Sequence, residues 1–185
     1  MRIILVSGAN GGLGTAIAQT FLKESPENFV WLGVHRRREQ AEKLAGEYSL
    51  NCACIELNVT QPAAWKQAVK QILAEHNRLD VLVNNAGKHH DGLLANLSGE
   101  GWDAVLATNL NATFHGCQAV LAAMISQRSG RIVNIASLSA LLAPAGQTNY
   151  AAATSSGRPN RRIGTRANAA LRSSSPIAFS ASVST

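Results

Sequence analysis

Aspartate, glutamate and lysine are absent from the last 32 residues of this 185-residue chain, which carry five arginines instead. Residues 1–153 hold 12 Lys and Arg against 11 Asp and Glu, so nearly all of the formal charge of +6 belongs to residues 154–185. A nucleic-acid-binding reading would rest on that tail alone; a solvated arginine tail is the plainer one, and no nucleic-acid partner is expected. Cysteine is scarce too. Cys52 and Cys54 sit too close together for a zinc site, Cys117 stands alone, and three thiols make no disulfide framework, so buried free thiols and no metal are expected. Long apolar runs are lacking: none reaches the ~18 residues of a membrane span. The opening MRIILVSG runs straight into glycines, without the longer apolar region and cleavage site of a signal peptide. These absences point to a cytoplasmic chain with no membrane partner.

What remains is 46% hydrophobic and 15% charged, the composition of one globular domain with a sizeable core. RIILVS (2–7), NFVWLGVH (28–35), CACIELNV (52–59), LDVLVNNAG (79–87) and GRIVNIAS (130–137) read as strands. Between them, residues 13–24, 38–48 and 62–76 read as helices, the third with Thr60 as its cap and Pro62 in its first turn. Residues 99–127 read as one long helix or two abutting ones, and Tyr150 should open another. Strands alternating with helices predict an α/β fold, a Rossmann-like doubly wound parallel sheet. Trp31, Trp65 and Trp102 fit core or helix-packing positions, and His89-His90 fits a surface loop.

The loop Ser7-Gly8-Ala9-Asn10-Gly11-Gly12-Leu13-Gly14 joins the first strand to the first helix. Glycine permits the sharp turn and the close approach of a ligand, and the helix start offers free N–H groups to a pyrophosphate. Gly8, Asn10, Gly12, Leu13 and Gly14 are therefore expected at a dinucleotide. The second strand ends in Val34-His35-Arg36-Arg37-Arg38, with no carboxylate before Glu39 to take a ribose 2′-hydroxyl. Arg36 and Arg37 suit a 2′-phosphate instead, which favours NADP(H) over NAD(H).

Four stretches together resemble the short-chain dehydrogenase/reductase family: SGANGGLG (7–14), NNAG (84–87), TN (108–109), and Ser137 thirteen residues before Tyr150 in NYAAA. The resemblance covers about residues 1–153, and with DGLL (91–94) it is most similar to the 3-oxoacyl-acyl-carrier-protein reductase branch. It implies that Gly8, Gly12 and Gly14 form the phosphate loop, that Asn58 and Val59 meet the adenine, and that Asn85, Ala86 and Gly87 line the cofactor. It also implies that Asn109 holds a proton-relay water, Ser137 orients a carbonyl, and Tyr150 is the acid/base. The implied substrate is a small-molecule or acyl-carrier-protein-linked ketone, reduced to a secondary alcohol in fatty acid biosynthesis, and the implied assembly is a homotetramer.

A free tyrosine titrates near ~10, too high for proton exchange at neutral pH without help. A cation at roughly 4 Å in an effective dielectric of ~20 supplies up to ~4 kcal/mol of that help. In the family it comes from a lysine four residues after the tyrosine, on the same helix face. This chain has Thr154 there, followed by SSGRPNRR, which opposes helix propagation. Removing one base from the codon for residue 154, under permitted codons, turns the following residues into KAAVGLIGASAHALTR. That places lysine at the family position and restores an apolar helix. Residues 154–185 are accordingly expected to be an aberrant, out-of-frame tail, disordered or poorly packed, leaving residues 1–153 as a partial dinucleotide-binding and catalytic domain truncated at its C-terminus. Two functions stay open on the sequence: an NADP(H)-dependent ketone reductase, and a catalytically inactive nucleotide-binding fragment or pseudoenzyme.

Overall fold

Alternate residues of the first strand are buried on both sides, so that strand must lie at the centre of a sheet covered on two faces. In the computed structural model, which describes residues 1–155 and 177–184, β1 (Ile3–Ser7) does so. It pairs in parallel with β2 (Phe29–Val34) on one side and β4 (Val81–Asn84) on the other. Beyond β2 lies β3 (Cys52–Glu56), and beyond β4 lie β5 (Gly130–Ser137) and β6 (Ile177–Ser184). The order β3-β2-β1-β4-β5-β6 reverses direction between β1 and β4, which makes the sheet doubly wound as expected.

The two faces carry two cores. Ile4, Val6, Val30 and Leu32 pack with Ala18 and Leu22 of α1 (Gly12–Glu24) and with Ala41 and Leu44 of α2 (Glu39–Glu47). Ile3, Leu5, Trp31 and Leu82 pack on the other face with Trp65, Ala68, Val69 and Ile72 of α3 (Pro62–His76). Val120 and Met124 of α5 (Ala112–Ser126) complete that face. Trp31 and Trp65 are thus core residues as read, while Trp102 is half-buried. All three cysteines are free thiols, but only Cys52 is buried as expected, while Cys54 and Cys117 are half-buried.

Residues 99–127 divide into α4 (Gly99–Leu106) and α5, joined by a π-helical turn, Ala107–Asn111. Ser98 caps α4, its hydroxyl accepting the Gly101 N–H at 3.0 Å. Thr60 does not cap α3. The residue before that helix is Gln61, and the Thr60 hydroxyl instead donates to Asn58 Oδ1 at 2.9 Å. After β5 come a short α6 (Ser139–Leu142) and α7 (Thr148–Thr154), so Tyr150 lies in the first turn of its helix.

Ile177–Ser184 forms β6 along the outer edge of β5, from Gly130↔Ile177 to Ser137↔Ser184. The open edge of β5 offers a row of backbone donors and acceptors to any segment with strand alternation, and IAFSASVS has it. The remainder of the tail, residues 156–176 and 185, lies outside the described residues. No helix among the described residues is long and apolar enough to cross a membrane.

Candidate functional site

The carboxyl ends of the central strands open into a cleft of about 1020 Å³, placed where the strand order reverses. The glycine loop between β1 and α1 forms its floor. Gly8 has φ +65°, and a Cβ on it would stand 2.8 Å from Ala86 Cα. A Cβ on Gly14 would stand 2.5 Å from the Gly8 carbonyl oxygen and 2.7 Å from Asn85 Nδ2. These two positions admit only glycine because the loop is pulled against the start of the loop after β4. Ser7 and Asn85 do the pulling. The Ser7 hydroxyl accepts from the N–H groups of Asn85 and Ala86 at 3.0 and 3.1 Å, and Asn85 Nδ2 donates to the Ser7 and Gly8 carbonyls at 2.9 and 3.2 Å.

Above the loop the space is open: a side chain on Gly12 would meet no protein atom within 4 Å. The helix begins at Gly12 behind Gly11, with no side-chain cap and no acidic residue in its first turn. Its first N–H groups are therefore left for a ligand, and the dipole end favours an anion. Thr15 steadies the turn by donating to the carbonyls of Ala9 and Gly11. The free helix start, the glycine cradle and the absence of any carboxylate among the lining residues fit a bound pyrophosphate.

Fourteen of the fifteen residues singled out from the sequence line this cleft: Gly8, Asn10, Gly12, Leu13, Gly14, Arg36, Arg37, Asn58, Val59, Asn85, Ala86, Gly87, Asn109 and Tyr150. Two of them have side chains committed to the protein. Asn10 Oδ1 accepts the N–H groups of Gln40 and Ala41, capping α2 and tying the glycine loop to it. Asn58 Oδ1 accepts from the N–H and hydroxyl of Thr60. Ser137 is the one left outside. It closes β5, and its hydroxyl accepts the Ser139 N–H at 3.2 Å.

At the β2 end, Arg38 is neutralised by Glu42 and by Glu56, which also holds His35 Nδ1 at 2.8 Å. Arg36 and Arg37 have no such partner among the described residues and remain exposed in the cleft wall. At the other end, Asn109 sits in the π-helical turn, which re-aims its side chain across the cleft. Asn109 Nδ2 donates to the Lys88 carbonyl at 2.6 Å and to Val105 at 2.9 Å, while its Oδ1 accepts the Lys88 N–H at 3.2 Å. Tyr150 and Thr154 follow on α7, where the Thr154 hydroxyl donates to the Tyr150 carbonyl at 2.7 Å. Among the described residues there is no cluster of three metal-ligating side chains.

Sequence reasoning passed over Lys88 and Asn134, and gave Ser7 no role of its own within the glycine loop. Asn134 Oδ1 accepts from Asn84 Nδ2 at 2.9 Å, closing the back of the cleft between β4 and β5. A side chain reaching across neighbouring strands leaves no local pattern. Lys88 had one usable signal, its place immediately after NNAG.

The family profile described as short chain dehydrogenase matches residues 2–156. The 3-oxoacyl-[acyl-carrier-protein] reductase FabG of Chlamydia pneumoniae is 38% identical over 155 residues, covering 81% of this chain and 60% of that protein. Its namesake from Escherichia coli strain K12 is 37% identical over 152 residues, covering 82% and 61%. Among solved structures, a short-chain dehydrogenase from Streptomyces avermitilis superposes with a TM-score of 0.84 at 25% identity, over 99% of this chain and 65% of that one. The chain thus spans about three-fifths of the length of the curated relatives it matches.

Proposed function

The chain belongs to the short-chain dehydrogenase family, and from that premise we propose that its cleft binds NADP(H) and serves the reduction of a 3-oxoacyl-type ketone. The observation that carries the reading is the unshielded pair Arg36 and Arg37 at one end of a cleft whose floor is a glycine-bounded helix start. The helix start takes the pyrophosphate, and the two guanidinium groups take the 2′-phosphate in bidentate fashion. The nicotinamide, when bound, supplies a hydride. In this reading Tyr150, in the cleft wall, gives a proton to the oxygen that becomes an alcohol, with Asn109 holding the opposite wall in place. Ser137 orients the carbonyl in this reading, once its hydroxyl turns from Ser139 toward the cleft. The 37–38% identity to 3-oxoacyl-[acyl-carrier-protein] reductases supports an acyl-carrier-protein-linked substrate.

One observation favours the second reading, nucleotide binding without turnover. Residue 154 presents a neutral hydroxyl already engaged with the Tyr150 carbonyl. Losing a positioned acid-base system costs about 10²–10⁴ in rate.

Both readings share a first test, fluorescence titration of the chain with NADPH and NADH. NADPH should bind about tenfold more tightly, and replacing both Arg36 and Arg37 with alanine should bring the two affinities together. If neither nucleotide binds, the proposal is refuted. NADPH oxidation with a 3-oxoacyl thioester then separates the reductase from the non-catalytic form.

A further inference from the structure

Lys88 has no role in the site as so far described. It follows Gly87 on the loop after β4 and lines the cleft with Tyr150 and Thr154. Asn109 holds its backbone at both the N–H and the carbonyl, so the root of the side chain is set while its stem stays free to reach. Gly87 keeps this register tight: a Cβ there would stand 2.9 Å from Asn109 Oδ1. Among the described residues no ion pair engages the Lys88 ammonium. No acidic side chain lines the cleft to compete for it.

Topology decides which part of a ligand it meets. Arg36 and Arg37 follow β2, on one side of the β1 glycine loop, and Lys88 follows β4, on the other. A dinucleotide with its pyrophosphate on the glycine loop and its 2′-phosphate toward β2 must lay its remaining nucleotide toward β4. The nearby position on α7 offers only the engaged hydroxyl of Thr154. We propose that Lys88 is the cation that holds the nicotinamide-mononucleotide half of the bound dinucleotide, through that half's ribose and phosphate oxygens. This assignment rests on the reading of the cleft as an NADP(H) site.

The test compares NADPH with 2′,5′-ADP, which carries only the adenosine half and its phosphates, on the full chain. Lys88→Met should weaken NADPH about tenfold, the worth of one charge-assisted hydrogen bond, and leave 2′,5′-ADP unchanged. Lys88→Arg should retain most of the NADPH affinity. Circular dichroism and melting temperature establish that each variant is folded, as expected for an exposed side chain. Unchanged NADPH affinity in Lys88→Met, or an equal loss for both ligands, overturns the assignment while leaving the cleft reading intact. If neither ligand binds the unsubstituted chain, the cleft reading itself falls and the role of Lys88 falls with it.

Discussion

At the scale of single residues, chemistry and packing divide cleanly. Cys52 lies in the core under α2, and burial, with the neighbouring Cys54 as a second cause, pushes its thiol up to about 12. Burial also raises Cys54 and Cys117, so all three thiols are protonated near neutrality and should alkylate slowly. The consequence for stability has a definite sign. The unfolded chain releases the Cys52 proton near ~8.5, whereas the folded chain holds it until about 12. Stability from this site is therefore whole below the unfolded value and is lost as pH rises between the two. Urea midpoints should fall from about pH 8.5 upward, and more gently in Cys52→Ala, which loses some stability at neutral pH but titrates no thiol there. Parallel slopes in the two proteins would remove Cys52 from the account.

Among elements, the junction of β1, the glycine loop and α1 is the most constrained. Four hydrogen bonds from Ser7 and Asn85 close the loop against β4, and Asn10 closes it against α2. Gly14 stands where three backbone segments meet. Its substitution by alanine forces the Gly8 carbonyl or Asn85 to move, a cost of about 1–3 kcal/mol for overpacking. Gly14→Ala should lower the melting temperature and abolish NADPH binding, as read by thermal unfolding and titration. Binding that survives with an unchanged melting temperature would show that the loop yields. Elements were largely legible in the sequence. Pro62–His76 and Gly130–Ser137 stand where the apolar pattern put them, because one face of each is largely buried. The π-helical turn at Ala107–Asn111 was not legible, since one extra residue in a helical ladder changes no local propensity.

For the whole molecule, the sheet is the load shared by both cores. Leu82, at the middle of β4 and wholly buried, packs under α3 and α5 and does not line the cleft. Leu82→Ala should cost about 2–5 kcal/mol in chemical denaturation. That is a large share of the ~5–15 kcal/mol by which a domain is stable. NADPH affinity of the fraction that remains folded should hold, and a smaller cost would mean that the two helices close over the gap.

Strand and helix order, the parallel sheet, the glycine loop and the family followed from the chain alone. Each depends on local periodicity or on a few residues at short spacing, which folding does not rearrange. Gly8 and Gly14 could be named in advance because a sharp turn and a close approach call for glycine there, whereas Asn109 and Tyr150 were named only through the family resemblance. Tertiary structure decided the rest. It gave Asn10 to α2, turned Ser137 toward Ser139, neutralised Arg38 through Glu56 while leaving Arg36 and Arg37 bare, and set Ile177–Ser184 along β5. It also brought Lys88 beside Asn109, 21 residues away in the chain. These are pairings between distant segments, fixed by which strand lies next to which, and strand neighbours are chosen by the burial of both sheet faces together.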